Sequence, residues 1–472
     1  MTRFFTTMCL VATVGLTAPP AKAGTEQPNG LGGEPPLTVP AAPGSYLGLE
    51  EAIRIGLARH PSLDESRYAS AAANAITKQI KGDRYPWLEA SIAGSSGSLR
   101  IVTSDGRTIH DRGGHGFDPG GALPHHNQNM LTGGLILNQL ITDFGYTAHR
   151  ILASEATESA LQKESLTTKA LVILNVQKAF LNSLLQERLV IIAEETLKRR
   201  RAVRDQVETL YTHQLRSKVD LDLINVEVSN AQLALIRAQN EVKKQAAALN
   251  NAMGIPGPDH YRLERIPVDV ARSPDLDVLM HDGLKNRPEL LGSHHKIQAS
   301  EELIQAAKAL NFGSLSAVGS LGATKYWDVH DNGLRNDEGA PFWGAGATLR
   351  VPLFTGFKIQ SQATEARHIK GEAEQEKETL ANEVILQIIR AYLTQVTNAD
   401  QVALEQERVR YANEALVLAQ ERYKIGLSPI VDVVRATAAL FEAESTLAEA
   451  GYLYKIAQAV VGYATGQDYQ RY

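Results

Sequence analysis

Tyr423-Lys424-Ile425-Gly426-Leu427-Ser428-Pro429-Ile430-Val431-Asp432-Val433 lies between a helical pattern that arrives from about Lys358 and another that departs over residues 430–464. Gly426 supplies the freedom a reversal needs, and Pro429 suits the first position of a new helix. Two long helices therefore turn back on each other here. The departing segment carries Val433, Ala436, Leu440, Ala443, Leu447, Ala450, Tyr454, Ala457 and Val461, at steps that alternate between three and four. Large residues alternating with alanine at that spacing predict knobs-into-holes packing against neighbouring helices. The arriving segment, 358–423, would be ~100 Å long at 1.5 Å per residue, far beyond an ordinary globular helix.

The same design occurs earlier in the chain. Leu210-Tyr211 and Val219-Asp220-Leu221 recur as Arg422-Tyr423 and Val431-Asp432-Val433 at an offset of 212, and the stripe Leu221, Ile224, Val228, Ala231, Leu235, Ala238, Val242, Gln245, Leu249 and Ala252 maps onto the later one. Gly56-Leu57-Ala58-Arg59-His60-Pro61 recurs as Gly283-Leu284-Lys285-Asn286-Arg287-Pro288 at an offset of 227, the difference reflecting one shorter loop in the second copy. The chain is two copies of one unit. The first covers 47–254, with long helices over 146–211 and 218–252. A linker, 255–275, leads to the second, 276–466, with long helices over 358–423 and 430–464.

Composition narrows the function. The 472 residues include 48 Lys+Arg and 53 Asp+Glu, a net charge of −5 that gives no reason to expect a nucleic-acid partner. One cysteine, Cys9, excludes disulfide scaffolds and thiolate metal sites. Residues 1–23 read as a secretory signal: Arg3, an apolar core from Met8 to Leu16, and a small-x-small cleavage site at Ala21-Lys22-Ala23. The core is too short for a membrane anchor, and Cys9 comes too early to be a lipidation site. Residues 24–46, rich in Pro and Gly, read as a flexible leader.

Between the helices of each copy lie alternating stretches, near 88–99 and 131–140 and near 314–326 and 342–353. Trp343, Ala345, Ala347, Leu349 and Val351 alternate with Gly344, Gly346, Thr348 and Arg350, and Leu315, Ala317, Leu321 and Ala323 alternate with polar or small residues. Runs of this length, apolar on one face, suit strands that cross a bilayer. Trp87, Trp327 and Trp343 read as strand-end residues of an aromatic girdle, with packing in a soluble core as the alternative. Four strands cannot close a membrane barrel, which needs about eight at least. Pooling across three protomers gives twelve. A structural periplasmic or surface coiled coil without a pore is the alternative function, but it leaves the alternating stretches unexplained.

These motifs together make the chain similar to the TolC family of outer-membrane efflux and type I secretion channels. The resemblance rests on Leu49-Glu50-Glu51-Ala52-Ile53 followed by His60-Pro61, on Gln139-Leu140-Ile141-Thr142-Asp143-Phe144-Gly145, on Pro352-Leu353-Phe354-Thr355-Gly356, and on the tip sequence quoted first. It implies a mainly α-helical fold with a membrane β-barrel. In that fold a coiled-coil helical tunnel extends into the periplasm below a trimer-shared, twelve-stranded outer-membrane barrel. It also implies a homotrimer surrounded by outer-membrane lipid, and docking to a periplasmic adaptor, or membrane fusion protein, and to an inner-membrane pump of RND or ABC type. The expected product is a passive exit duct in the cell outer membrane, with no cofactor and no enzymatic role.

The resemblance assigns Leu215, Arg216 and Ser217 in the first tip and Gly426, Leu427 and Ser428 in the second to adaptor contact. It implies a periplasmic constriction at Asp432; Asp220, Arg435 and Arg216 are expected beside it at the same mouth. Here Gln214 replaces the glycine found at Gly426, and Arg435 stands where family members often carry a second aspartate. Arg216 is expected to pair with Asp432 across repeats or subunits. Helix capping is the structural alternative for Asp220 and Asp432. His110, His115, His125 and His126, with Asp111 and Asp118, crowd one Gly-rich loop, but no helix or strand spacing fixes a metal geometry there, and a solvated loop is expected.

Overall fold

The computed structural model describes residues 46–98, 127–257, 259–271, 274–330 and 333–471, all within one unit that spans 43–472. The signal, the leader and the His-rich loop lie outside the described residues. In chain order the elements are β1 (Tyr46–Leu47), α1 (Leu49–Arg59), α2 (Pro61–Gly82), β2 (Trp87–Ser98), β3 (Asn127–Thr142), α3 (Tyr146–Thr212), α4 (Lys218–Ala252), β4 (Arg262–Leu263), α5 (Leu276–Asn286) and α6 (Pro288–Ala309). They continue with a short 3-10 turn (Leu310–Phe312), β5 (Ser314–His330), β6 (Gly333–Arg350), α7 (Lys358–Lys424), α8 (Ile430–Ala464) and α9 (Asp468–Arg471).

Helix α3 and helix α7 each run for 67 residues, while α4 and α8 each run for 35. One long helix therefore needs two companions along its length. Near the sheet, α2 and α6 pack on α3, and α6 also meets α7. Towards the tips, α4 and α8 pack on α3, and α8 on α7. The layer runs α2–α3–α6–α7 above and α4–α3–α8–α7 below, so α7 and either α2 or α4 form its edges. Alternating steps of three and four hold the lower layer together. Ile224, Val228 and Ala231 are buried from α4, and Val433, Leu440, Ala443, Tyr454 and Ala457 from α8.

Strands β2, β3, β5 and β6 form one antiparallel sheet in the order β2-β3-β5-β6, while β1 and β4 pair separately and in parallel. The β3–β5 pairing joins the two repeats, with Leu135 opposite Leu321 and Thr132 opposite Thr324. Register sorts the side chains by face because neighbours along a strand point to opposite sides. Leu88, Ala90 and Ile92 share one face with Leu135, Leu137, Leu315, Ala317, Leu321, Trp343, Ala345, Ala347 and Leu349. The opposite face carries Glu89, Ser91, Thr132, Ser320, Gly344, Thr348 and Arg350, with Ile136, Val318 and Phe342 among them. One continuously apolar face and one that is mainly polar or small is the pattern of a barrel wall between lipid and water.

Three details differ from the sequence reading. The strands extend further towards the loops, β3 from Asn127, β5 to His330 and β6 from Gly333, because backbone pairing continues through residues without apolar alternation. Trp343 and Trp327 consequently lie inside strands, and only Trp87 is a strand end. Pro429 is the N-cap of α8 in extended geometry (φ −74°, ψ 161°), with Ile430 as the first helical residue. No described helix is long and apolar enough to cross a membrane.

Candidate functional site: the helix tips and the barrel wall

Both hairpin tips close with the same backbone turn. Leu215 N donates to Leu210 O at 2.9 Å and Gln214 N to Tyr211 O at 2.8 Å; Leu427 N donates to Arg422 O at 2.8 Å and Gly426 N to Tyr423 O at 3.0 Å. This is the Schellman arrangement, which places a left-handed residue just beyond the helix end. Gly426 occupies that position at φ +82° without strain, whereas Gln214 occupies it at φ +59° and carries a side chain there. Each turn leaves a leucine at the apex, Leu215 and Leu427, both about two-thirds exposed at 66% and 67%.

Beneath the turns, Val203, Val207, Ile224, Leu416, Tyr423, Ile430, Val433 and Leu440 form one core shared by the two hairpins. Tyr423 is 2% exposed, and its hydroxyl has no hydrogen-bond partner. Burial, together with the nearby Asp220 carboxylate, pushes the Tyr423 phenol up, against the opposing pull of Arg216. Ser428 is also buried, with its hydroxyl unpartnered, so it lies beneath the surface that Leu427 presents.

Arg216 is the link between the tips. Its Nη2 donates to the Tyr423 carbonyl at 2.7 Å, and its guanidinium lies 4.7 Å from the centroid of the Tyr423 ring. This corrects the expected partner within the protomer: Arg216 holds Tyr423, in the other hairpin, and forms no ion pair with Asp432. The sequence offset aligned Arg216 with Ser428 but did not reveal a backbone acceptor five residues earlier. Ser217 Oγ accepts from Asp220 N at 3.3 Å, which makes Ser217 the N-cap of α4. In the second tip Asp432 N instead bonds Pro429 O at 3.2 Å. Asp432 and Arg435 are both exposed, and neither makes an ion pair among the described residues. Their carboxylate and guanidinium remain free for whatever faces the tip.

Further up the helices, arginines of α3 fix one hairpin on the other and close the first hairpin on itself. Arg199 of α3 grips Glu444 of α8 through two bonds, at 3.0 and 2.8 Å, and Arg200 Nη1 reaches Glu227 O of α4 at 2.8 Å. Sequence reading missed these. Their only signal was the basic run Lys198-Arg199-Arg200-Arg201, which reads equally well as a solvated face.

On the sheet, Trp343 pairs with Leu321 on the apolar face and is 82% exposed. Trp87 pairs with Asn138 and falls on the polar face, and Trp327 takes the register position opposite Asn129. Trp87 and Trp343 therefore lie on opposite faces of the sheet. Among the described residues, no group of three or more His, Cys, Asp or Glu is placed to hold a metal.

Comparison with known proteins converges on one family. A family model described as outer membrane efflux protein matches residues 52–255 and 279–467. Nodulation protein T of Rhizobium leguminosarum bv. trifolii is 20% identical over 346 residues, 73% of each chain. Toluene efflux pump outer membrane protein TtgC of Pseudomonas putida is 21% identical over 309 residues, 63% of this chain and 61% of that one. Among solved structures, CusC, described as forming a transmembrane channel, superposes with a TM-score of 0.73 at 18% identity, over 89% of this chain and 92% of that one.

Proposed function

Because the chain belongs to the outer membrane efflux protein family, we propose that three copies close into a passive exit duct that serves a tripartite efflux pump or a type I secretion system. The protein is an outer-membrane protein whose helices reach into the periplasm, and its family members are channels rather than enzymes.

The observation that carries the trimer is that the protomer is open at both edges and in both layers. Among the described residues, strands β2 and β6 each lack a neighbour on one side. An unpaired edge in hydrocarbon leaves backbone groups unsatisfied, which a bilayer does not tolerate. The edge helices expose apolar residues to match: Val219, Leu223, Val226 and Leu233 on α4, and Leu386, Leu393, Leu404, Tyr411 and Leu418 on α7. β2 leads away from the helices and β6 returns to them, so the β6 edge of one copy meets the β2 edge of the next in antiparallel fashion. Heterologous contacts of this kind close into a ring.

Supporting a role for the tips, Leu215 and Leu427 present equivalent apolar apices beside Arg216, Ser217 and Gly426, with Ser428 buried beneath them, a surface for a periplasmic adaptor joined to an inner-membrane pump. Arg216, Asp220, Asp432 and Arg435 stand at the mouth, where Arg216 holds the hairpins together. A polar thiol reagent tests the wall. In a Cys9→Ser background reconstituted in membranes, Ser320→Cys should label and Ala345→Cys should not. Equal labelling of both would overturn the assignment of water and lipid faces.

A further inference from the structure

The two hairpins of the sheet carry one register. β2 maps onto β5 at an offset of 227 and β3 onto β6 at an offset of 212, the same offsets that relate the flanking helices. Trp87 opposite Asn138 becomes Ser314 opposite Arg350, and Leu88 opposite Leu137 becomes Leu315 opposite Leu349. A wall built from such hairpins also needs a pairing between one hairpin and the next. Among the described residues that pairing is made by β3 with β5, and its counterpart would join β6 to β2 of another copy. Carrying the β3–β5 register forward by the same offsets places Arg350 opposite Ser91, Leu349 opposite Ile92 and Gly346 opposite Ser95 of that copy.

The free edges fit that register in three ways. It sets Leu349 against Ile92 on the apolar face and Arg350 against Ser91 on the other, whereas a one-residue slip would exchange the faces. In mid-sheet, a Cβ on Gly134 would lie 2.8 Å from the Leu321 carbonyl oxygen, so this glycine lets β5 come close. Its repeat counterpart Gly346 lies on the β6 edge, and nothing of this chain stands within 4 Å of where its Cβ would be. Ser95 takes the place of Gly322, where a Cβ would collide with the Gly133 carbonyl, so the backbones stand further apart on this row than in mid-sheet. Charge gives the third match. Among the described strand side chains, Glu89 is the one acid and Arg350 the one base on the mainly polar face. They lie on the two edge strands, both are exposed, and neither forms an ion pair among the described residues. In the carried register Glu89 is two residues from Ser91 on the same face, diagonal to Arg350 and within reach of a long side chain.

We propose that β6 and β2 of successive copies pair with Arg350 opposite Ser91, and that an ion pair from Arg350 to Glu89 of the next copy spans each seam on its water-facing side. This seam rests on the trimer proposed above and adds to it which residues meet. The nearest competing register keeps the faces but slips by two residues, bringing Thr348 opposite Ser91 and Arg350 opposite Glu89. It abandons the pairing that the two repeats share, and it sets Ala93 instead of Ser95 against Gly346.

Crosslinking and charge reversal test the seam on the full chain in membranes, in a Cys9→Ser background. Ser91→Cys combined with Arg350→Cys should give covalent trimers on oxidation. Ser91→Cys combined with Thr348→Cys should give about tenfold less, because diagonal neighbours lie beyond ordinary disulfide reach. Separately, Glu89→Arg and Arg350→Glu should each speed the exchange of labelled subunits about 2–5-fold, and the two reversals together should restore the slow exchange. Trimers that link the Thr348 pair more strongly than the Arg350 pair, or whose exchange the double reversal leaves fast, would overturn the seam alone. A protein that inserts but stays monomeric in every variant, wild type included, would overturn the trimer beneath it.

Discussion

Arg216 bonds the Tyr423 carbonyl and covers its ring, so its removal should loosen one hairpin tip from the other in every subunit. A charge-assisted hydrogen bond and a cation–π contact together are worth about 1–3 kcal/mol. Arg216→Ala should therefore raise the fraction of time a reconstituted channel spends open by roughly 5–150-fold. Tyr423→Phe keeps both the carbonyl and the ring and removes only an unpartnered hydroxyl, so it should gate like wild type. Matching open fractions for wild type and Arg216→Ala in planar bilayers would show that this contact does not hold the mouth. Gln214 makes a second residue-level case. Its left-handed backbone costs a non-glycine residue ~1 kcal/mol, so Gln214→Gly should slow amide exchange around the first tip, and faster exchange would contradict the strain. On the wall, Glu89 is the one acid on the polar face of the described strand side chains. Glu89→Gln should move the reversal potential in a salt gradient away from cation preference; an unchanged potential would place Glu89 outside the conducting path.

At the scale of elements, legibility depended on how strongly a period was written. The return helices were readable because large residues and alanine alternate at steps of three and four, and the residues on that stripe are the buried ones. The strand centres were readable from Trp343 to Leu349 for the same reason. Their loop-side extensions were not, since Gly333 to Pro341 reads as turn and is held by pairing with β5 alone. The junctions into α3 and α7 show another limit. Each needs two consecutive left-handed residues, met by Phe144-Gly145 in one copy and by Gly356-Phe357 in the other, so the order is swapped and no single motif describes both. The partner of Arg216 was illegible because it lies 207 residues away and is a backbone oxygen. The inter-repeat linker likewise depends on a side chain that the heptad marked only as core. Tyr454 Oη accepts from Ala271 N at 3.0 Å and from Gln458 at 2.9 Å, and donates to Ala271 O at 3.1 Å. Tyr454→Phe should leave the helices intact but cost about 1–3 kcal/mol, with faster amide exchange concentrated near Ala271. Unchanged exchange near Ala271 would instead mean that the ring, not the hydroxyl, does the anchoring.

For the molecule as a whole, every layer of the protomer ends in an edge that asks for a copy of itself. Among the described residues the sheet has two open strand edges, on β2 and β6, and the helical layer has exposed apolar stripes on α4 and α7. The apolar sheet face has no protein to cover it. Family membership explains why such a protomer exists, and the edges explain why one copy cannot do the work. Native mass spectrometry of the protein extracted from outer membranes in mild detergent tests this directly. One dominant species of three chains, dissociating only on strong activation, is expected. A dominant monomer, or a ring of any other number, would contradict it.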